Sequence, residues 1–308
     1  MKIKENIFLT IAMIVIGFTT SIEASEKVGI SVIKALMNVP TAVEQELKLF
    51  QKHFGEDVSL SFPELSAGFR QAQAMAAGQI RFANCMGSTS LLVAASGGLD
   101  VKILSVYSRS PRAFMILTRS EKIASVSDLR GKRIGGPRGT VLHLLLASAL
   151  KRDGLSMEDV ELIDMPNDKA ASALFSGHVD AALATGPVAI GALNRGARSL
   201  TDGKGLIGGL ALVAVDGKTA REKPDLIDSF RKAHSEAVET IDRDPRWAWG
   251  LLSKDSAISN ELIEASVEMY DFSPNITSED LEKLEEEIDF LQGLSIVKGV
   301  SLDSLILR

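Results

Sequence analysis

Lys132-Arg-Ile-Gly-Gly-Pro-Arg-Gly-Thr-Val-Leu-His-Leu-Leu-Leu-Ala-Ser-Ala-Leu-Lys-Arg-Asp-Gly154 decides the fold. Lys132–Gly135 reads as a short strand, and a glycine-marked loop follows it. Thr140–Arg152 then carries apolar residues at helical spacing, and Gly154 stops the helix. The same grammar recurs on both sides. Upstream, strands are predicted at Val28–Ile33, Val58–Phe62, Ile80–Cys85, Val101–Tyr107 and Ala113–Thr118. The helices between them are predicted at Pro40–Phe54, with Val43, Leu47, Phe50 and Phe54 on one stripe, and at Phe69–Ala77 and Ser90–Ser96. Ser125–Asp128 fits a helix-capping box. Downstream, strands are predicted at Val160–Met165, Val179–Ala184 and Leu210–Val215, and helices at Asp168–Ser176 and Pro187–Asn194.

Strand–helix alternation implies an α/β fold whose parallel-rich sheets are flanked by helices. One sheet of all these strands would be large. With 308 residues and roughly 150 residues per domain, two lobes fit better. Ser108–Arg112 and Gly203–Gly209 are the natural crossings. The expected division is 25–110 with 206–308 as lobe 1 and 111–205 as lobe 2. The C-terminal part reads as helical. Ile227, Phe230, His234, Ala237 and Ile241 form one apolar stripe, and Leu281, Leu284, Ile288 and Leu291 form another behind the cap Thr277–Asp280. The acidic run Glu282–Glu287 reads as a solvated helix face.

The chain begins with Lys2 and Lys4, followed by the apolar run Ile7–Thr20 and then small or polar residues. This is the layout of a secretory signal peptide, 1–24, with Ala24 as its last residue. Ser21 is an alternative end, because Ile22 is larger than the small residue expected there, and an uncleaved anchor is the other reading. The run is short of the roughly 20 residues that span a bilayer as a helix. An exported, periplasmic protein is expected.

Basic residues number 34 and acidic residues 40, for a net charge of −6 and no basic run, which argues against nucleic acid as a partner. One cysteine, Cys85, excludes an internal disulfide and any CxxC site, and its apolar neighbours place it in the core. His53, His143, His178 and His234 are scattered, and none forms H-E-x-x-H or pairs with an acidic residue nearby in sequence. No G-x-S-x-G elbow is present. Gly135–Thr140 resembles a phosphate loop but lacks the lysine before its threonine. No catalytic cluster, metal site or cofactor is therefore expected.

Three loops remain, each after a strand and before a helix: Gly87-Ser88-Thr89-Ser90, Pro137-Arg138-Gly139-Thr140 and Thr185-Gly186-Pro187. Ligands of open α/β sheets bind beyond the carboxyl ends of the strands. Helix starts there offer backbone N–H groups and a partial positive charge, and Ser and Thr add hydroxyls. Arg138 adds a charge-assisted bond to an anion if it faces the ligand. The alternative reading is that Ser88, Ser90 and Thr140 merely cap their helices and that Arg138 is solvated.

Ser127-Asp-Leu-Arg-Gly-Lys-Arg-Ile-Gly135, Gly139-Thr140 and Ala149-Leu-Lys-Arg-Asp-Gly-Leu155 resemble the nitrate/sulfonate/taurine-type (NMT1/THI5-like) solute-binding proteins of ABC importers. So do Ala173-Leu-Phe-Ser-Gly-His-Val-Asp-Ala181 and Ala76-Ala-Gly-Gln-Ile-Arg-Phe82 followed by Gly87-Ser-Thr. The resemblance covers about residues 28–245. It implies a two-lobed type II periplasmic binding protein fold and a small, anionic organic or sulfonate-like ligand between the lobes. It also implies partnership with an ABC permease and its ATPase in the inner membrane, and a monomer is expected.

By this resemblance the ligand contacts are Leu36, Met37, Ser66, Gly87, Ser88, Thr89, Gly139, Thr140, Thr185 and Gly186, and the loop reading adds Arg138. Sulfonate-type members often carry Trp-Asp-Pro at the last loop, where this chain has Thr185-Gly186-Pro187, which removes an aromatic wall and a carboxylate. Aromatic residues are only 5%, which argues against a sugar ligand. The same fold also hosts enzymes of thiamine-pyrimidine or menaquinone-precursor type, and a ligand-sensing receptor subunit is a further alternative.

Overall fold

The computed structural model describes residues 26–33, 38–255 and 259–307. The signal segment and the positions Leu36 and Met37 lie outside the described residues. Among the described residues, ten strands form two five-stranded sheets. The first contains β1 (Glu26–Ser31), β2 (Val58–Ser61), β3 (Phe82–Gly87), β4 (Val101–Arg109) and, from far along the chain, β10 (Leu210–Asp216), in the order β2-β1-β3-β10-β4. The second contains β5 (Phe114–Thr118), β6 (Arg133–Gly136), β7 (Glu161–Asp164), β8 (Ala181–Thr185) and β9 (Arg198–Asp202), in the order β7-β6-β8-β5-β9.

Both sheets are mixed in the same way. β1 pairs parallel with β2 and β3, and β6 with β7 and β8, as expected where helices carry the chain across the sheet faces. The strands that enter a sheet directly from a crossing, β10 and β5, run antiparallel to their neighbours. The crossings fall at 110–113 and 203–209 and are stitched to each other. Ser110 N–H donates to Gly209 O at 3.0 Å, and Gly203 N–H donates to Phe114 O at 3.0 Å. At Gly209, with φ +57°, a Cβ would meet Pro111 N at 2.7 Å, so only glycine allows this approach.

The first sheet buries a cluster of phenylalanines, with the Phe82 and Phe230 rings stacked at 4.6 Å. Phe230, Ile227, Ala237 and Ile241 reach it from the helix Pro224–Arg243, as their stripe predicts. The second core is built from leucine, isoleucine and alanine around the helix Val141–Arg152 and the helices Asn167–Phe175 and Gly186–Asn194. The helix Ser278–Gly293, opened by a Thr277/Asp280 capping box, lies between. Leu284, Ile288 and Leu291 sit in the core of the first sheet, and Phe290 packs against that core and against the core of the second.

Three sequence expectations change. The helix expected over Pro40–Phe54 is two helices, Val39–Glu46 and Leu49–Phe54, separated at Lys48 with φ +53°. The break keeps Val43, Phe50 and Phe54 in the core and turns Leu47 out to solvent. β9 was not predicted, because Arg-Ser-Leu-Thr-Asp has no alternating apolar pattern and is an edge strand on β5. The acidic face Glu282–Glu287 is not wholly solvated, for Glu287 is 5% exposed. Among the described residues, no helix is long and apolar enough to cross a membrane, and no group of three His, Cys, Asp or Glu is placed to hold a metal ion.

Candidate functional site

β3, β6 and β8 each run out into a helix start, and the three starts converge on one cleft of about 340 Å³ between the sheets. From the first sheet, Gly87, Ser88, Thr89 and Ser90 line it. From the second come Pro137, Thr140 and Thr185. Each sequence-predicted loop thus contributes. The walls between them are apolar: Phe114 at the start of β5, Val141 and Leu142 in the first turn of the helix after Thr140, and Leu210 and Ala211 at the start of β10. Ser110 and Gly209 at the crossings complete the lining.

Strand register explains these additional residues, which the loop grammar missed. Phe114 pairs with Thr185, and Ala211 pairs with Gly87. For Phe114, Leu210 and Ala211 the signal available in sequence was a place among the first two strand residues after a predicted crossing. Among the described residues that line the cleft, none carries a charge.

At the first start, the helix begins at Ser88, two residues before the predicted Ser90, with Gly87 as its N-cap in ordinary backbone geometry (φ −59°). A Cβ at Gly87 would meet nothing within 4 Å. The hydroxyls of Ser88 and Thr89 are committed elsewhere. Ser88 Oγ donates to Glu287 Oε2 at 2.7 Å, and Thr89 Oγ1 donates to Glu287 Oε1. Burial pushes the Glu287 carboxyl above the usual carboxylate range, and the Thr89 and Ser88 hydroxyls pull it partly back. What this start can offer a ligand is its first-turn backbone N–H groups, which have no intrahelical partners.

At the second start, Thr140 is the N-cap, and its hydroxyl donates to Pro137 O at 2.9 Å. Gly139 (φ +70°) does not line the cleft. Its N–H donates to His143 Nδ1 at 3.1 Å, and a Cβ would meet Ile296 Cδ1 at 2.5 Å. Burial lowers the His143 pKa, and the nearby Arg138 charge lowers it further.

Arg138 also points away. Its Nη2 donates to Leu162 O at 3.0 Å, and its backbone N–H donates to Asp164 Oδ1 at 2.9 Å, so the guanidinium is turned onto β7 and is not part of the cleft lining. At the third start, Thr185 stands at the N-cap position and lines the cleft, while Gly186 (φ +55°) supplies the turn without lining it. Ser66 is likewise outside the lining.

Two histidines, with no acidic residue beside them in sequence, meet one from a distant element. His53 Nε2 lies 2.7 Å from Glu236 Oε2, and buried His234 Nδ1 lies 2.7 Å from buried Glu44 Oε1. Asn84 joins the second pair, its Nδ2 donating to Glu44 Oε2 at 2.9 Å. Neither pair lines the cleft.

Two mixed five-stranded sheets joined by paired crossings, with helix starts converging between them, define the periplasmic binding protein fold. The crystal structure of the periplasmic aliphatic sulphonate binding protein SsuA from Escherichia coli superposes with a TM-score of 0.82 at 23% identity, over 92% of this chain and 97% of that one. The model of the family described as NMT1/THI5 like matches residues 40–248, well over half of the chain, and the chain belongs to that family. A relative from Brucella abortus (strain 2308) is 34% identical over 142 residues, which are 46% of this chain and 42% of the relative. The chain thus matches less than half the length of this curated relative. The taurine-binding periplasmic protein of Escherichia coli (strain K12) is 28% identical over 225 residues, 72% of this chain and 69% of that protein.

Proposed function

We propose that the chain is the extracytoplasmic solute-binding protein of an ABC importer, which takes up a small organic anion of sulfonate type between two lobes and delivers it to a permease and its ATPase. The observation that carries this reading is the convergence of three helix starts on one cleft whose described lining carries no charge. Backbone N–H groups and helix dipoles hold an anion without a cationic side chain. Membership of the NMT1/THI5-like family and similarity to a taurine-binding protein support the sulfonate class.

The walls refine the ligand. Phe114, Val141, Leu142 and Leu210 enclose apolar space beside the helix starts, which suits an anion with an organic body better than nitrate. Phe114, opposite Thr185 in register, supplies an aromatic ring near the loop where the sulfonate-type tryptophan is missing. The lobes are the two sheets with their helices, divided as 25–110 with 206–308 and 111–205. A ligand touching both favours closure.

Delivery requires export, and the protein purified from the periplasm is expected to have lost about 24 residues by intact mass. The deciding experiment is native mass spectrometry of the protein from its own cells, followed by a thermal-shift panel of alkyl and aryl sulfonates, carboxylates, nitrate and pyrimidines. A specific ligand at 100 times its Kd adds about 2.7 kcal/mol of stability. Chemical conversion of the bound compound by the purified protein would replace this reading with an enzyme of the same fold.

A further inference from the structure

The helix Ser278–Gly293 touches two of the cleft's helix starts from outside the cleft. Its first turn is pinned where the first crossing begins. Arg109, the last residue of β4, grips Asp280 through Nε at 2.8 Å and Nη2 at 2.6 Å, and Arg109 Nη1 donates to Ser273 O at 2.7 Å. Leu284, Ile288 and Leu291 then seat the helix in the core of the first sheet. Beyond that anchor, Glu287 and Phe290 stand three residues apart, on one face of the helix.

Glu287 receives the Ser88 and Thr89 hydroxyls of the first start. Phe290 meets the His143 imidazole edge to face at 5.0 Å, and this imidazole accepts the Gly139 N–H of the second start. Ile296, just after the helix, lies over Gly139. Neither Glu287 nor Phe290 lines the cleft.

We propose that this face of the C-terminal helix sets the resting spacing of the two ligand-facing helix starts, with Glu287 and Phe290 as positioning residues that touch no ligand. The helix is seated in the core of the first sheet, so the contacts of Phe290 with His143 and of Ile296 with Gly139 tether the second. Met269, packed on the core of the second sheet from the C-terminal region, is a separate contact and leaves the tether at His143 distinguishable.

The test uses the purified chain with no ligand. Nitroxides are attached at Glu56→Cys and Glu158→Cys, exposed positions beside the opposite edge strands β2 and β7, and their separation is read by double electron–electron resonance. Native Cys85 is buried and stays unlabelled. Phe290→Ala and Ile296→Ala should each broaden the distance distribution and shift its maximum. Ile296 is 39% exposed, so its truncation leaves the fold intact and decides the matter if Phe290→Ala does not fold. Glu287→Ala should shift the distribution too, and Glu287→Gln, which keeps an acceptor oxygen, should restore it. Leu294→Ala, an exposed control beyond the helix, should match the parent. Unchanged distributions in the folded Phe290 and Ile296 variants would overturn the proposal. Because no solute is involved, that failure would leave the solute-binding reading untouched, and absence of solute binding would leave this measurement readable.

Discussion

The helix starts at Ser88 and Val141 are written in nearly the same letters, glycine followed by a hydroxyl residue at the end of a strand, yet they are held in different ways. At Thr140 the hydroxyl closes on its own loop, on Pro137 O three residues back. At Ser88 and Thr89 the hydroxyls close on Glu287, about two hundred residues away. The glycines differ in the opposite sense. Gly87 has ordinary geometry and open space, whereas Gly139 sits in the left-handed region under Ile296. A short sequence pattern therefore places a helix start at the cleft but does not say which of its atoms the ligand can reach.

The largest effect should separate the two glycines. Gly139→Val should cost about 1–3 kcal/mol in backbone strain, and overpacking against Ile296 should add about 1–3 kcal/mol. Gly87→Ala should change stability by no more than about 0.5 kcal/mol. Chemical denaturation of both variants checks this. It follows that lost ligand affinity in Gly139→Val would report on folding, whereas lost affinity in Gly87→Ala would report on the ligand. Comparable destabilisation by both would break the contrast.

Next comes Glu287→Ala, which leaves two hydroxyls without their acceptor and should cost about 1–3 kcal/mol. The pH dependence of the two starts should then have opposite signs. The folded-state pKa of Glu287 lies above its ordinary 4.5, so the folded protein binds this proton more tightly than the unfolded chain. Its contribution to stability falls as pH rises from about 4.5 through the raised value, and Glu287→Gln should flatten that slope. The folded-state pKa of His143 lies below its ordinary 6.5, so its contribution is present above 6.5 and is lost as pH falls through the lowered value. His143→Gln should flatten that opposite slope. Denaturation midpoints from pH 4 to 8 test both, and slopes of one sign would contradict the assignment.

Thr140→Ala removes a single local hydrogen bond and should cost about 0.5–1.5 kcal/mol in thermal unfolding. The smallest effect is expected at Arg138. Its guanidinium is spent on Leu162 O, so Arg138→Ala should leave the affinity for the captured ligand unchanged by calorimetry. A tenfold loss there would mean that the side chain turns into the cleft when a ligand is bound.

Much of the architecture was legible because its signals are local. The Thr277/Asp280 and Ser125/Asp128 boxes form as their spacing predicts, and Thr140 stands at the N-cap of its helix. The stripe Ile227, Phe230, His234, Ala237 and Ile241 is buried along its whole length. The break at Lys48 was not legible, since the residues on both sides of it keep a helical spacing. The partners of His53 and His234 were not legible either, because Glu236 and Glu44 arrive from other elements.

By itself, the sequence determined the alternation of strands and helices, the two crossings and the three helix starts that face the cleft, because backbone preferences, caps and apolar periodicity act over a few residues. The tertiary structure decided which groups those starts expose. Burial of Leu284, Ile288 and Leu291 carries Glu287 under Ser88 and Phe290 against His143. The packing of β6 beside β7 draws Arg138 back onto Leu162, and the pairing of β5 with β8 sets Phe114 beside Thr185. Each of these contacts joins residues that the chain keeps far apart or on separate elements, and packing and strand register, which act only once the sheets have formed, bring them together.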